Sequence, residues 1–197
     1  MKDQNCSLIY GVNTLINTPL WGLIEEKLNT TNFQWENVRF DDGQRDEKFR
    51  KGEIAWIGDD YLRKQLFYSV DFYNKQNWRY DINDTEHVQY GIYSHGGHYD
   101  WHYDESIIPP SDQSFMRKLS VTIWLNDPDE YEGGEFDIQH TIGVDEAQNG
   151  VSMGYETFKL SKGSIIIFPS FIWHRVRPVT SGVRKSLVVW FIGPPFR

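Results

Sequence analysis

The sequence predicts a mainly β protein, a double-sheet jelly roll or barrel with α-helices packed outside one sheet. From residue 87 onward, short runs rich in β-branched and aromatic residues alternate with Gly, Pro, Asp and Asn turn signals. Eight such runs suit the two sheets of a jelly roll. Both helical patterns come before these runs, as expected if the helices cover one outer face. We expect one domain over residues 1–197, mostly helical in 1–87 and jelly roll in 88–192.

The first part of the chain contains two amphipathic patterns and a charged segment. Residues 13–29 predict a helix with an apolar stripe, and its candidate N-caps Asn17 and Thr18 would start it only there. A strand-like piece follows at Phe33–Phe40. Residues 41–52 are charged and predict a loop, either a solvated connection or a mobile lid. Residues 59–76 predict a second helix with Asp59 as N-cap and an apolar face of Tyr61, Leu62, Leu66, Val70 and Tyr73.

The second part of the chain supplies the predicted jelly roll. Its strands are Val88–Tyr93, Tyr99–Tyr103, Leu119–Asn126, Glu135–Gln139, Thr157–Leu160, Ser164–Phe168, Trp173–Val176 and Ser186–Ile192. Side chains on each strand alternate between the two faces of a sheet. Residues two apart on one strand are therefore expected to point to the same side.

Composition and charge narrow the class of protein. The net charge is −8 and no basic surface run is present, which argues against nucleic acid as a partner. No apolar stretch reaches the roughly 20 residues of a membrane helix, so no membrane association is expected. The N-terminal residues are polar, without the apolar core of a signal peptide, and the single Cys6 cannot form an intrachain disulfide. We therefore expect a cytoplasmic protein.

One short motif has the donor atoms of a metal site. In His102-Tyr103-Asp104 strand alternation places the imidazole and the carboxylate on one side. These N and O donors suit iron, manganese or zinc. An H-x-D motif by itself is a weak signal, and a third ligand must come from elsewhere. The candidates are His87, His95, His98, His140 and His174, of which His174 is favoured because it directly follows an apolar strand. The alternative is a core histidine bonded to a carbonyl.

An arginine ten residues after His174 suggests what the metal site does. Two histidines and one carboxylate leave open positions on the metal, as in the facial triad of non-haem Fe(II) oxygenases. Arg184, Ser186, Val188 and Trp190 share one face of a predicted strand. An arginine inside a barrel needs an anion, and a dicarboxylate co-substrate matches its guanidinium fork. The alternative is a surface ion pair at a strand end.

These motifs together resemble the Fe(II)/2-oxoglutarate dioxygenases of the prolyl 4-hydroxylase superfamily, and within it the bacterial and phage PKHD-type hydroxylases. The resemblance covers residues 33–192 and is strongest from 88 onward. It is carried by five separated elements in the right order: Tyr93-x-x-Gly96-x-x-Tyr99-x-x-His102-x-Asp104, Leu119–Asn126 with Tyr131–Phe136, Gly163–Ser170, His174 followed by Val176-x-Pro178-Val179, and Arg184-x-Ser186.

The resemblance implies a double-stranded β-helix and a role for each motif residue. It implies iron ligands His102, Asp104 and His174, and Arg184 with Ser186 on the far carboxylate of 2-oxoglutarate. It places Tyr93 on that carboxylate, with Tyr90 and Tyr99 near enough to be alternatives, and Trp190 in the pocket wall. The implied cofactors are Fe(II), 2-oxoglutarate and O₂, with ascorbate as a candidate reductant.

The implied reaction is hydroxylation of a C–H bond with release of succinate and CO₂, as in procollagen-proline 4-dioxygenases. The suggested substrate is a prolyl residue in a peptide or protein, on which Trp101, Trp173 and Trp190 could stack; the alternative for these tryptophans is core packing. Other functions stay open at this point. They are a non-redox metal-binding cupin-type module, a hydroxylase of a free amino acid or small metabolite, and a nucleic-acid demethylase, which the charge argues against.

Overall fold

The computed structural model describes residues 10–38, 46–107, 113–145 and 150–196, without the side chains of 141–145 and 150–153. Its helices are α1, Pro19–Thr30, and α2, Asp60–Asn77. Its strands are β1 Gly11–Thr14, β2 Glu36–Asn37, β3 Arg50–Lys51, β4 Glu53–Ile57, β5 Asp84–Thr85, β6 Val88–Tyr93, β7 His98–His102, β8 Met116–Trp124, β9 Tyr131–Gly133, β10 Phe136–Asp145, β11 Gly150–Phe158, β12 Ser164–Pro169, β13 His174–Val176, β14 Val179–Gly182 and β15 Arg184–Gly193.

The strands form two main antiparallel sheets. The major sheet has the order β1-β12-β8-β15-β6-β4-β2, with β5 attached to β15. The minor sheet has the order β11-β10-β13-β7-β3, and β14 pairs with β9 in a separate two-stranded ribbon. Strands far apart in sequence are thus neighbours, as in a double-stranded β-helix. The predicted mainly β fold is confirmed.

The first helix begins later than its apolar stripe suggests. Residues 11–14 form β1, which pairs with β12 at the edge of the major sheet. The helix begins at Pro19, and Thr18 caps it by accepting from the backbone N–H of Trp21. The Thr18 alternative is therefore confirmed, and the start at residue 13 is wrong, because β1 gains ladder hydrogen bonds that an isolated helical turn would not have.

The second helix agrees with its prediction. Asp59 accepts from the N–H of Leu62 at 2.7 Å, which satisfies one of the unpaired donors of the first turn. Leu62, Leu66 and Val70 are fully buried, and each such burial stabilises by about 1.5–3 kcal/mol before entropy is counted. Tyr61, placed on that face from the sequence, is instead 62% exposed. No helix in the described part of the chain has the length and apolar character needed to cross a bilayer.

All eight predicted strands are present, with shifted ends. Val88–Tyr93 has the predicted bounds, whereas β8, β10, β11 and β15 are longer than their predictions. Six short strands were not predicted, because two to five residues carry too little periodicity to be recognised. Of the piece predicted at Phe33–Phe40, the described residues 33–38 contain only the two-residue strand Glu36–Asn37, and residues 39–40 lie outside the described residues. Of the predicted loop 41–52, residues 41–45 lie outside the described residues, and Arg50–Lys51 forms β3.

Two apolar cores lie on the two faces of the major sheet. The outer core joins this sheet to the helices through residues such as Ile24, Leu66 and Val121. The inner core, which includes Trp124 and Phe136, fills the space between the two sheets. Strand alternation therefore sends every second residue of β6, β8 and β15 toward the minor sheet. The polar members of these inward rows, described next, line a cavity.

Candidate metal centre and anion pocket

Strand pairing brings the two histidines together. β13 pairs with β7 so that His174 and His102 are register partners, and their ring centroids are 4.1 Å apart. Asp104 follows β7, with one oxygen 3.7 Å from Nε2 of His102 and the other 3.6 Å from Nε2 of His174. One ligand atom from each of the three lies within 4.8 Å of the others. Among the described residues this is the only group of its kind, and the third member is His174.

Both imidazoles are oriented by their own strands. Nδ1 of His102 lies 2.7 Å from the carbonyl oxygen of Asp100, and Nδ1 of His174 lies 2.9 Å from that of Ile172. A carbonyl can only accept, so Nδ1 carries the proton in each ring. The lone pair of each Nε2 is then free, and both face the Asp104 carboxylate. Such a bond fixes the tautomer and the direction of a metal-ligating histidine.

The electrostatics keep the His102 imidazole neutral and the Asp104 carboxyl ionised. Burial and the neighbouring His174 together lower the pKa of His102 from 6.5 to about 3. Burial alone would raise the pKa of Asp104, but His174, His102 and a hydrogen bond from Ser120 outweigh it, so this pKa is lowered. Neutral imidazoles and an ionised carboxylate are the forms that bind a metal ion.

The backbone of Asp104 is held from two sides. Its N–H donates to the carbonyl of Ser170 at 2.9 Å, which ties the end of β7 to the turn before His174. Nη1 of Arg117 donates to the carbonyl of Asp104 at 3.4 Å. Arg117 also binds Glu86 at 2.6 and 2.7 Å and stacks 4.1 Å from the ring of Trp190. This clamp was not predicted, because nothing local in the sequence links residues 86, 104 and 117.

The other candidate histidines lie elsewhere. His95 binds the carbonyl of Thr180, and His98 binds those of Gly96 and Lys48. His87 is exposed beside Gly58, and His140 belongs to β10 without joining the metal-type group. The described structure therefore excludes them from this site.

Arg184 is a buried cation that has no acid beside it. It is 1% exposed, and its Nη1 donates to the hydroxyl of Ser186 at 2.9 Å. Among the described residues its Nε and Nη2 have no hydrogen-bond partner and no carboxylate forms an ion pair with it. Burial lowers its pKa, while Tyr131 and Tyr93 act in the opposite direction. The surface ion pair considered from the sequence is thus absent, and the unsatisfied donors favour an anionic ligand.

The metal group and Arg184 line one cavity. The predicted pocket residues Tyr93, Tyr99, Ser186 and Trp190 also line it. Tyr93 is the register partner of Arg184, whereas Tyr99 stacks on His102 with centroids 3.4 Å apart. Tyr90 faces the other side of the sheet, where it packs on Phe33 and Trp35. The structure thus places Tyr93 at the arginine, Tyr99 at the metal group and Tyr90 outside the cavity.

Several lining residues were missed from the sequence. They are Arg50, Gln89, Thr122, Phe136, Val176 and Val188. For Gln89 a signal existed, since it lies on the same face of β6 as Tyr93 by strand alternation. Arg50 gave none, because it belongs to the charged segment predicted as a loop.

Two of the tryptophans predicted to contact substrate lie outside the cavity. Trp173 is 40% exposed and packs edge-on against Tyr103 at 5.1 Å. Trp101 contacts Arg175 and Tyr155. Both stand on the outer face of the minor sheet, since each is one residue from an inward-facing histidine. Only Trp190 of the three lines the cavity.

The residues present fit Fe(II) and 2-oxoglutarate. Two imidazole nitrogens and one carboxylate form the donor set of the non-haem iron oxygenases and leave coordination positions open. The unsatisfied Nε and Nη2 of Arg184, in the same cavity, suit a carboxylate on a ligand. Fold and site together define the class of the protein, a double-stranded β-helix oxygenase with a His-Asp-His group that could hold a metal ion.

The comparisons with known proteins identify the family. The sequence model of the 2OG-Fe(II) oxygenase superfamily matches residues 88–192. That is more than half of the chain, which therefore belongs to this superfamily. The family takes Fe(II), 2-oxoglutarate and O₂, as the donor set and Arg184 predict.

Curated relatives match about half of this chain. PKHD-type hydroxylases from Teredinibacter turnerae and Aliarcobacter butzleri are 35% identical over 103 residues and 38% identical over 100 residues. These matches cover 52% and 50% of this chain, and 41% and 39% of the relatives. The chain therefore matches about two-fifths of the length of each relative.

Solved structures share the fold. A prolyl-4-hydroxylase from Pseudomonas putida superposes with a TM-score of 0.62 at 20% identity, over 92% of this chain and 91% of its own. A prolyl hydroxylase from Trichoplax adhaerens, in complex with a peptide fragment of the hypoxia inducible factor oxygen degradation domain, gives 0.64 at 17%, over 94% and 84%. At these identities the likeness concerns the fold.

Proposed function

We propose that this chain is an Fe(II)- and 2-oxoglutarate-dependent dioxygenase that hydroxylates a C–H bond, most simply of a prolyl residue in a peptide or protein, and releases succinate and CO₂. The observation that carries the proposal is one cavity that holds both a His-Asp-His donor set and a buried arginine without an acid. Residues 1–197 act in this proposal as one catalytic domain.

Each lining residue has a role in the proposal. His102, Asp104 and His174 hold the iron, which with 2-oxoglutarate supplies the oxidising chemistry when bound. Arg184 and Ser186 bind the far carboxylate of 2-oxoglutarate, beside Tyr93. Tyr99 packs on His102 and restricts its ring, while Trp190 closes the wall. The apolar side chains of the lining, Phe136, Val176, Val188 and Trp190, limit the access of water to the reacting atoms.

The prolyl substrate is supported by the neighbours rather than by the cavity. Both solved structures named above are prolyl hydroxylases, and one carries a peptide fragment. A peptide or protein partner follows from this, with ascorbate as the candidate reductant of the iron. β3 is an edge strand of the minor sheet, beside β7, and an extended peptide could lie along it.

The test is an Fe(II)-dependent turnover assay with a peptide library that contains prolyl residues. We expect succinate to form only when Fe(II) and 2-oxoglutarate are both present, and the accepted peptide to gain one oxygen atom by mass spectrometry. Oxidation of a different residue, or of a free amino acid, would retain the dioxygenase and replace the substrate.

The competing function is a cupin-type module that binds a metal without redox turnover. It accounts for the three ligands and leaves the buried Arg184 without a purpose. The same assay separates the two functions, because a binding module would form no succinate with any substrate while still binding the metal.

A further inference from the structure

Arg50 is a second arginine of the cavity, and it lies across the gap between the two sheets. It belongs to β3 of the minor sheet, where it is the register partner of Tyr99. Its Nη2 donates to Oε1 of Gln89, on β6 of the major sheet, at 3.0 Å. Its guanidinium carbon lies 4.2 Å from the centre of the Tyr99 ring. Arg50 is thus fixed in place by two contacts.

Neither contact neutralises its charge. Gln89 is an amide and Tyr99 is a phenol, and both side chains are uncharged near neutral pH. Nε of Arg50 is buried without a hydrogen-bond partner, and no carboxylate among the described residues forms an ion pair with the guanidinium. A buried donor on a charged group that lacks a partner is costly. A ligand that supplies an oxygen anion would remove that cost.

Gln89, which bonds Arg50, lies far along β6 from Tyr93, the register partner of Arg184. On β6, Tyr93 is the register partner of Arg184, whereas Gln89 is the partner of Val188. These two positions on β6 are four residues apart, which is about 13 Å along a strand. Trp190, next in the inward row after Val188, is the partner of Ser120, which bonds Asp104. Arg50 is therefore anchored toward the metal ligands, and Arg184 at the opposite end.

The side chains of the cavity carry one excess positive charge, which the metal ion and 2-oxoglutarate together would not neutralise. Its charged side chains among the described residues are Arg50, Arg184 and Asp104, two positive and one negative. A divalent cation and dianionic 2-oxoglutarate cancel each other in this count. One positive charge remains after both have bound, and Arg184 is the residue matched to 2-oxoglutarate. The remaining charge is that of Arg50.

We propose that Arg50 recognises a carboxylate on the substrate, so that the substrate is an anionic amino acid or peptide whose carboxylate lies close to the carbon that is hydroxylated. This inference rests on the proposed function and narrows its substrate class. The carboxylate can be the α-carboxylate of a free amino acid or of a C-terminal residue, or the side chain of a neighbouring acidic residue. A guanidinium fork binds any of them in the same bidentate manner.

The test measures binding without turnover, on the full chain loaded with Mn(II) and 2-oxoglutarate in the absence of O₂. The probes are two pairs of equal shape: L-proline against prolinamide, and a blocked Asp-Pro peptide against the Asn-Pro peptide. We expect at least one carboxylated probe to bind about tenfold or more tightly than its amide, as a charge-assisted bond predicts. The pair that discriminates identifies the source of the carboxylate.

Variants assign the preference to Arg50. Arg50→Gln should abolish it, Arg50→Lys should retain part of it, and Lys51→Gln, the exposed neighbour on β3, should leave it unchanged. The dissociation constants of Mn(II) and 2-oxoglutarate should stay within about twofold in Arg50→Gln.

A loss of Mn(II) affinity in Arg50→Gln would mean that Arg50 merely supports Tyr99 and His102. A loss of 2-oxoglutarate affinity would mean that Arg50 serves the co-substrate. Either result overturns the proposal, as does a preference that survives Arg50→Gln or is absent from both pairs.

One more variant addresses the acids near Arg50 in sequence. Asp41 and Asp42 lie outside the described residues, so the double change Asp41→Asn/Asp42→Asn is measured as well. If it strengthened the binding of a carboxylated probe severalfold, an internal partner would occupy Arg50 and the proposal would fail. An unchanged preference supports it.

The role of Arg50 and the proposed dioxygenase function can be overturned independently. Succinate formation from uncharged prolyl peptides, without any carboxylate preference, would overturn the role of Arg50 alone. A carboxylate preference that depends on Arg50, in a protein that never forms succinate, would overturn the dioxygenase and leave the recognition site.

Discussion

At the scale of single residues, the site keeps ionisable groups buried in the forms that a ligand needs. Asp104 is ionised although its side chain is only 7% exposed, because two imidazoles and Ser120 surround it. Arg184 is held inside the sheets by one hydroxyl. Such groups cost folding free energy and are explained by what they bind. Substitutions of Asp104, Arg184 and His102 distinguish the cost of each buried group to folding from its role in binding.

Asp104→Ala should remove metal binding and activity together. The change takes away one of three ligands and the only anion of the set, so we expect Fe(II) affinity to fall by at least about tenfold to hundredfold and succinate formation to disappear. Isothermal titration with Mn(II) and the succinate assay measure the two effects. Asp100→Ala, four residues earlier and exposed, keeps the carbonyl that orients His102 and is the matched control. Full activity in Asp104→Ala would contradict the assigned ligand set.

Arg184→Met should separate stability from co-substrate binding. Methionine has similar volume and no charge, so removal of a buried cation without an acid should leave the metal-free protein as stable or more stable. 2-Oxoglutarate should raise the melting temperature of the natural chain and not that of the variant. Thermal melts with and without 2-oxoglutarate, in the presence of Mn(II), give both answers. A variant that 2-oxoglutarate still stabilises would show that another residue binds it.

The pH dependence of stability should come largely from His102. Its pKa is about 3 in the folded chain and near 6.5 when unfolded, so between these values the unfolded state binds more protons. Stability should therefore be fully present above pH 6.5 and be lost as the pH falls toward 3, by up to about 1.4 kcal/mol per pH unit. Urea unfolding of the metal-free protein between pH 4.5 and about 7 measures the slope. His102→Gln should flatten the curve, whereas His87→Gln, at an exposed position, should keep it.

At the scale of elements, the short ribbon of β9 and β14 supports the anion pocket. Gly134 follows β9 with φ +65°, and a Cβ at this position would lie 3.1 Å from Cδ of Arg184 and 3.0 Å from Val179. Glycine is required there both by the left-handed backbone and by the space it leaves. The ribbon thus sets how far the arginine extends.

Gly134→Ala should weaken 2-oxoglutarate binding as well as folding. We expect a loss of about 1 kcal/mol or more in unfolding free energy, since a left-handed alanine is strained, and a higher dissociation constant for 2-oxoglutarate because Arg184 is displaced. Gly22→Ala is the contrasting change, because nothing lies within 4 Å of its added Cβ on α1. It should stabilise by about 0.5–1 kcal/mol without any effect on the site. Equal effects of both changes on 2-oxoglutarate binding would refute the supporting role of the ribbon.

The elements also show where sequence patterns are sufficient. Eight strands from residue 88 onward were predicted because β-rich runs between turn signals have few other conformations. β3 was missed, since a charged segment with glycines is typical of a loop until a neighbouring strand pairs with it. Arg50 was missed for the same reason: its place in the cavity depends on the pairing of β3 with β7, which local sequence does not encode. His174, in contrast, was found because its strand was found.

At the scale of the whole molecule, the metal group lies between the two sheets, beside the inner core, and the two apolar cores contain none of its residues. The outer and inner cores each bury many side chains around Val121 and Phe136. The two histidines are also paired by strand register and by their carbonyls. The protein should therefore fold before the metal binds, unlike small domains that a metal ion organises.

Removal of the metal should accordingly leave the fold intact. Treatment with a chelator should preserve the far-ultraviolet circular dichroism spectrum and a cooperative melt, and Mn(II) should raise the melting temperature by mass action. The same experiment on Asp104→Ala should show the fold without the shift. A chelated protein without a cooperative melt would place the metal among the elements of the core.

The sequence predicted the overall fold more completely than the side-chain contacts in the interior of the molecule. The resemblance, which covers residues 33–192 and is strongest from 88 onward, predicted the β-sheet fold, the three candidate metal ligands and Arg184, because its five motifs occur in the right order and spacing. The clamp of Arg117 on Glu86 and Trp190 joins β8, β15 and the link between β5 and β6, which meet only in the folded molecule. The outward direction of Trp101 and Trp173 follows from strand alternation, and the sequence prediction of a substrate contact did not take it into account.

The carbonyl bonds of the two histidines have a consequence for how such proteins diversify. Each imidazole is oriented by the carbonyl oxygen of the residue two positions earlier. The segments Asp100–His102 and Ile172–His174 therefore each fix the direction of their own histidine ring. Insertions between β7 and β8, or between β10 and β11, can vary in length and chemistry without turning either ring.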